Sequence, residues 1–194
     1  MSDLLGVKYM SMKSIDAQII SCKLCRLCES RTNAVPGAGN MDRPLVVFVG
    51  EGPGKNEDLK GEPFVGRGGI LLDELLKNAG LERSRVYITN IVKCRPPKNR
   101  KPKPDEIKTC TSTYLDKQIQ ILNPRLICTL GATALEYFTG EKVMGACHGK
   151  LVQWKKLDIP ILPTYHPASI FRNRSLKGLL EADLKKIPGL INSG

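Results

Sequence analysis

No stretch of this sequence approaches the ~20 consecutive apolar residues that a membrane-spanning helix needs, and residues 1–13 lack the apolar core of a secretion signal. These two absences lead to the expectation of a cytoplasmic, intracellular protein with no membrane partner. Acidic residues are scarce as well: 19 Asp and Glu stand against 30 Lys and Arg, a formal charge of +11. That balance points towards phosphate-bearing partners. There is no internal repeat and no low-complexity tract, so neither a repeat array nor a disordered tail organises the chain. The common phosphate-loop patterns are missing too. Gly54-Lys55 is followed by Asn56 where a Walker loop requires Ser or Thr, and Val49 stands where its first glycine belongs. Gly50, Gly52 and Gly54 are evenly spaced with Pro53 between them, unlike the G-x-G-x-x-G turn that opens a helix. A nucleotide-dependent enzyme is disfavoured on these grounds.

What is present is organised around residues 44–69, PLVVFVGEGPGKNEDLKGEPFVGRGG. An apolar, β-branched run at 45–49 reads as a buried strand, and it breaks at Gly50-Glu51-Gly52-Pro53-Gly54. Glycines there let backbone approach a ligand closely. A loop of this length inside a compact domain is usually functional, and Phe64 and Val65 within it argue against disorder. Further apolar runs at 86–92, 126–130 and 160–164 read as strands, with helices expected over 14–27, 70–79, 105–122 and 175–187 and a short one that starts at Gly131 and ends at Gly140. Residues 141–155 read as a loop and hairpin. The 194-residue length fits one domain spanning 1–194. The alternation of strand and helix predicts an α/β fold: three α/β/α layers around a central four-stranded parallel sheet. Glu51, Asn90, Gly131 and His166 then all fall at the carboxyl ends of their strands, where such sheets bind ligands.

Two further features carry chemistry. The segment Lys93–Pro104, KCRPPKNRKPKP, holds six basic residues and four prolines, which predicts an extended, strongly positive stretch. Seven cysteines is a high and odd number, and in a reducing compartment it suggests metal rather than disulfides. Cys22 and Cys25 have half-site spacing, and Cys94 and Cys110 would complete a four-thiolate site. Spacing alone leaves zinc, an iron–sulfur cluster and buried core thiols open. Cys28 lies close enough to compete as a ligand, Cys128 reads as core, and Cys147 beside His148 reads as loop.

These motifs together resemble the family-four uracil-DNA glycosylases, the iron–sulfur type. The resemblance runs through Cys22-x2-Cys25-Arg26-Leu27, Gly50-Glu51-Gly52-Pro53-Gly54 with Glu57-Asp58, and Pro63-Phe64-Val65-Gly66. It continues through Ile88-Thr89-Asn90-Ile91-Val92-Lys93-Cys94-Arg95-Pro96-Pro97, then Cys110, then His166-Pro167-Ala168. It implies that uracil is excised from DNA, single- or double-stranded, and that a 4Fe-4S cluster is held by Cys22, Cys25, Cys94 and Cys110, without Cys28. It further implies that Glu51, Gly52, Pro53, Phe64, Asn90 and His166 bind uracil, with Phe64 stacking on it, Asn90 reading its edge and His166 at O2. Glu57 would lie where the methyl group of thymine would fall. Better-known glycosylases carry an Asp that orients water where this chain has Gly52, which leaves Glu51 first and Glu57 second as the catalytic acid beside His166. Lys98, Arg100, Lys101, Arg172 and Arg174 are candidate phosphate contacts. No lysine sits in a lyase motif, so a monofunctional hydrolase is expected, acting as a monomer, with replication or repair proteins as candidate partners. The competing expectation is a non-catalytic, metal-cysteine nucleic-acid-binding module, which would leave Glu51, Phe64, Asn90 and His166 convergent without purpose.

Overall fold

The computed structural model describes residues 10–192. The expectation about residues 1–13 therefore falls largely outside the described chain. Among the described residues, no helix is long and apolar enough to cross a membrane.

Six strands form one sheet: β1 (Ala38–Gly39), β2 (Val46–Gly50), β3 (Val86–Asn90), β4 (Leu126–Leu130), β5 (Val152–Trp154) and β6 (Ile159–Thr164). Their spatial order is β1-β3-β2-β4-β6-β5. The four expected strands are the parallel centre, β3-β2-β4-β6. The sheet as a whole is larger than four strands, because an antiparallel strand closes each edge: β1 on β3 and β5 on β6. β5 and β6 form a hairpin over 152–164, so only one arm lies in the 141–155 stretch expected to be loop and hairpin, and a short helix, α7 (Met144–Cys147), stands earlier in it. β1 is two residues long and lies in a polar connector, so no side-chain pattern marked it.

Alternation along the strands builds two cores. Val47, Val49, Tyr87, Ile127 and Ile161 face one side, where α1 (Met12–Ile20) and the 104–122 helix pack through Ile15, Ile19, Leu115 and Ile119. Val46, Phe48, Ile88, Cys128 and Leu162 face the other, covered by α3 (Arg67–Asn78) and α8 (Leu176–Lys185) through Leu72, Leu75, Leu180 and Leu184. Burial on both faces explains why these strands read as continuous apolar runs.

One helix departs from its expected bounds, and a second, which matches them, is irregular inside, both for local reasons. α1 stops at Ile20, well before the cysteine pair. The Ser21 hydroxyl donates back to the Ala17 carbonyl at 3.1 Å, and the Arg31 guanidinium donates to the Ile20 carbonyl at 2.9 Å, so the last carbonyls of the helix are satisfied and the chain turns away. Cys22 and Cys25 consequently lie on a loop that leads into a 3-10 turn at Arg26–Glu29. The 104–122 helix is continuous but holds one π turn at Thr111–Leu115, between α4 (Pro104–Cys110) and α5 (Asp116–Leu122). The Thr111 hydroxyl bonds the Ile107 carbonyl at 2.8 Å, competing with the main-chain ladder there. A short helix, α2 (Lys55–Lys60), rises inside the long glycine-rich loop. Its buried Asp58 accepts the Thr32 amide at 2.8 Å and the Asn33 amide at 3.3 Å, fastening the connector after the cysteines to this loop.

Candidate active site

The parallel register aligns the strand ends. Gly50 pairs with Asn90, and Leu130 with Thr164. Hydrogen bonds carry the pairing one step further, from Ile91 N to Gly50 O at 2.9 Å, Val92 N to Glu51 O at 3.1 Å, and Gly131 N to Thr164 O at 2.9 Å. Glu51, Asn90, Gly131 and His166 are thereby brought to one edge of the sheet, as the strand pattern predicts.

Asn90 is almost fully buried, and its Oδ1 has no hydrogen-bond donor within the protein. Gly50 lies beside it: a Cβ there would sit 2.5 Å from Asn90 Oδ1 and 2.7 Å from the Phe64 ring. Only glycine leaves both side chains their positions. Phe64 packs into the core with Val46 and Phe48, and its ring also stacks on His166, with centroids 5.5 Å apart and planes inclined by 25°.

Phe64 has φ of 53°, a left-handed conformation that costs a bulky residue roughly 1–3 kcal/mol. Its neighbours impose it. Glu57 Oε1 accepts the Val65 amide at 3.1 Å and the Gly66 amide at 2.7 Å, and Arg83 donates to the Pro63 carbonyl at 3.0 Å. Glu57 thus acts as a backbone clamp behind Phe64. Glu51 is differently placed. It is half-exposed, and Oε2 accepts the hydroxyl of Thr133 in the first turn of α6 (Ala132–Thr139). Gly52 is half-exposed and Pro53 is buried in the same loop.

His166 Nδ1 accepts the Ala168 amide at 3.1 Å, so the single ring proton of the neutral form belongs on Nε2. Burial pulls its pKa down to about 4; Glu57 pulls the other way, and Arg172 adds to the lowering. The ring is therefore a neutral donor at physiological pH.

A second constellation lies behind the first. Cys22, Cys25, Cys94 and Cys110 line one pocket together with Ile19, Leu27, Val92 and Tyr114, while Cys28 is half-buried outside that lining. Arg31 donates to Cys94 Sγ at 2.9 Å, the Lys93 amide to Cys110 Sγ at 3.3 Å, and the Leu24 amide to Cys22 Sγ at 3.5 Å. Burial raises the Cys25 and Cys94 thiols and pushes Cys110 up to about 12, so the free groups stay protonated and are poor nucleophiles. Among the described residues, no three His, Cys, Asp or Glu side chains are disposed around a single ion. Cys128 is core, and His148 bonds Asp183 at 3.0 Å rather than pairing with Cys147.

The basic residues divide. Lys98, Arg172 and Arg174 are exposed, and among the described residues none of them is held in an ion pair. Arg100 is committed to buried Glu106, with bonds of 2.8 and 2.6 Å, and Lys101 pairs with Glu136 at 3.3 Å. Lys93, counted with the positive segment, is only 1% exposed and faces inward. Phe171 was not anticipated: it is exposed on the 3-10 segment that follows His166, with the Arg67 guanidinium 4.5 Å above its ring. An aromatic immediately before a basic pair was the available signal.

A sequence model of the uracil DNA glycosylase superfamily matches residues 36–186. The chain is 48% identical over 185 residues to a type-4 uracil-DNA glycosylase of Sulfurisphaera tokodaii, an alignment covering 91% of this chain and 83% of that protein. It is 46% identical over 187 residues to the type-4 uracil-DNA glycosylase of Thermotoga maritima, covering 93% and 94%. With that of Archaeoglobus fulgidus it shares 43% over 186 residues, covering 91% and 92%.

The tautomer and burial of His166 make a direct prediction. Its folded-state pKa near 4 lies below the ordinary 6.5, so between those values the unfolded chain binds the proton more readily. The stability contributed by neutral His166 is complete above pH 6.5 and disappears as pH falls towards 4. A ring titration followed by NMR should give a midpoint near 4, and His166→Gln should flatten the pH dependence of thermal unfolding across that window. A midpoint near 6.5 would contradict the buried, neutral assignment.

Proposed function

As a member of the uracil DNA glycosylase superfamily and of its type-4 group, the chain is a uracil-DNA glycosylase of base excision repair, and we propose that the pocket of Phe64, Asn90 and His166 receives the flipped uracil. The observation that carries this reading is the buried Asn90 Oδ1 without a donor. A buried acceptor left unpaired costs about 1–3 kcal/mol, and the N3–H of uracil supplies the missing donor. The amide nitrogen then donates to uracil O4. Cytosine reverses both groups: its N4 amino group meets the Asn90 amide nitrogen, and its N3 offers Oδ1 no proton.

The reaction follows from the same geometry. Extruding a base costs roughly a few kcal/mol, and phosphate contacts from exposed Lys98, Arg172 and Arg174 offset it. Phe171 is the apolar side chain available to fill the space that the base vacates. Phe64 holds the base by stacking. The C1′–N1 bond then breaks, its electron pair passing to uracil, and the charge that develops at O2 is met by His166 Nε2–H without formal proton transfer. Glu57 is occupied by the Val65 and Gly66 amides, which favours Glu51 as the acid that orients water. The water oxygen bonds to C1′, its proton passes through Glu51 to solvent, the uracil anion takes up a proton from solvent on release, and the products are free uracil and an abasic site. No lysine takes part, so the enzyme is monofunctional.

Cys22, Cys25, Cys94 and Cys110 fit a 4Fe-4S cluster. Four thiols from three segments share one apolar pocket, and N–H groups and a guanidinium already point at three of the sulfurs. A single zinc ion would need the thiolates drawn tightly around one centre, whereas a cubane accepts wider spacing. When bound, the cluster would tie the loop after α1 to the start of the basic segment. We also infer an intracellular monomer that acts on DNA, in which residues 1–194 form one domain.

Asn90→Asp replaces a donor with an acceptor. Single-turnover assays should show uracil excision sharply reduced and preference over unpaired cytosine narrowed; full activity with full discrimination would remove Asn90 from base reading. Anaerobically purified protein should contain about four irons and four sulfides. Each of Cys22, Cys25, Cys94 and Cys110 changed to Ala should lose them, while Cys28→Ala should not. For the phosphate contacts, Lys98→Ala, Arg172→Ala and Arg174→Ala should each flatten the log-affinity against log-salt slope by ~0.9 on duplex DNA. Arg100→Ala should mainly lower stability, since it removes the two-bonded partner of a buried carboxylate and leaves it only the Lys103 amide and the more distant Arg26.

A further inference from the structure

Lys93 stands next to Cys94 in a segment whose other basic residues are exposed or half-exposed, yet its side chain points into the protein. Its ammonium donates to the Thr89 hydroxyl at 2.6 Å and to the Asn90 carbonyl at 2.9 Å. The main chain of Lys93 is equally engaged: its amide donates to Cys110 Sγ at 3.3 Å, and its carbonyl accepts the Val35 amide at 2.7 Å. Taking an ammonium out of water costs several kcal/mol, and an apolar side chain of similar length would fill the space without that penalty. The contacts of the ammonium must therefore account for its presence.

The Asn90 carbonyl is the last of β3, and the edge strand beyond it stops short. β1 pairs Ala38 with Ile88 and Gly39 with Tyr87 and reaches no further. The Lys93 ammonium takes up the role of the missing strand partner. This matters because Asn90 Oδ1 receives no hydrogen bond from the protein. Its direction is set by the strand end that carries it, and Gly50 leaves the space it occupies free of a side chain.

We propose that Lys93 is a positioning residue that fixes the end of β3 and so aims Asn90 at the base. The inference rests on the reading of Asn90 given above, and a double-mutant cycle separates the two. Lys93→Met keeps the length of the side chain and removes the ammonium. Single-turnover excision should fall at least 10-fold, and calorimetric affinity for free uracil should weaken, while DNA affinity stays within about twofold and the visible spectrum of the purified protein is unchanged. In an Asn90→Ala background, Lys93→Met should change excision by less than about twofold, because a residue acting through Asn90 has nothing left to act through.

Full activity in Lys93→Met, or a loss that multiplies with that of Asn90→Ala, would overturn the proposal. If Asn90→Ala itself excises uracil at the normal rate, the pocket reading fails instead, and Lys93 with it. If Lys93→Met does not fold, Thr89→Val removes the hydroxyl beside the ammonium at nearly constant volume and is read in the same cycle. A multiplicative loss in that variant, or no loss, would overturn the proposal equally.

Discussion

Parallel strands that stop at one level leave their last backbone groups without ladder partners, and much of this protein is arranged to satisfy that edge. Each solution also positions a side chain. Glu57 takes the amides of Val65 and Gly66 and thereby holds Phe64 in its left-handed turn. The Ala168 amide goes to His166 Nδ1 and fixes where the ring proton resides. Lys93 takes the carbonyl of Asn90. Hydrogen-bond completion around the sheet edge and the placing of Phe64, Asn90 and His166 are one requirement met by the same groups.

The same economy links the pocket to the cysteines. Lys93 bonds a strand end through its side chain and a thiol sulfur through its amide. Arg31 closes α1 and contacts Cys94 Sγ. Asp58 joins the connector after the cysteines to the loop that bears Glu57. The two constellations are separate in chemistry and joined in structure by these hydrogen bonds.

Much of this was legible in the sequence. The four central strands announced themselves as apolar runs because both sheet faces are covered, and polar or glycine residues at their ends located the edge. The rest depended on partners that a linear pattern does not reveal. β1 owes its existence to two backbone pairings with β3 and carries no side-chain signature. Arg100 and Lys98 look alike in a basic run, but only Arg100 meets Glu106, an acid that reads as an ordinary first-turn helix residue. Lys93 reads as another surface charge until the fold turns it inward. Glu57 and Glu51 are both acids in one loop, and the difference in their partners, backbone amides for one and a threonine hydroxyl for the other, appears only in the fold.

Asn90 carries a different lesson, about selection. An unpaired acceptor in the interior makes the empty protein less stable than it could be. An apolar side chain of similar size would remove that burden, so pressure for thermal robustness alone would push position 90 away from asparagine. On the reading proposed for Asn90, the need to tell uracil from a normal base is the pressure that opposes this one. On that same proposal, a laboratory search for hardier variants would find at position 90 a hardier protein that is the less discriminating one.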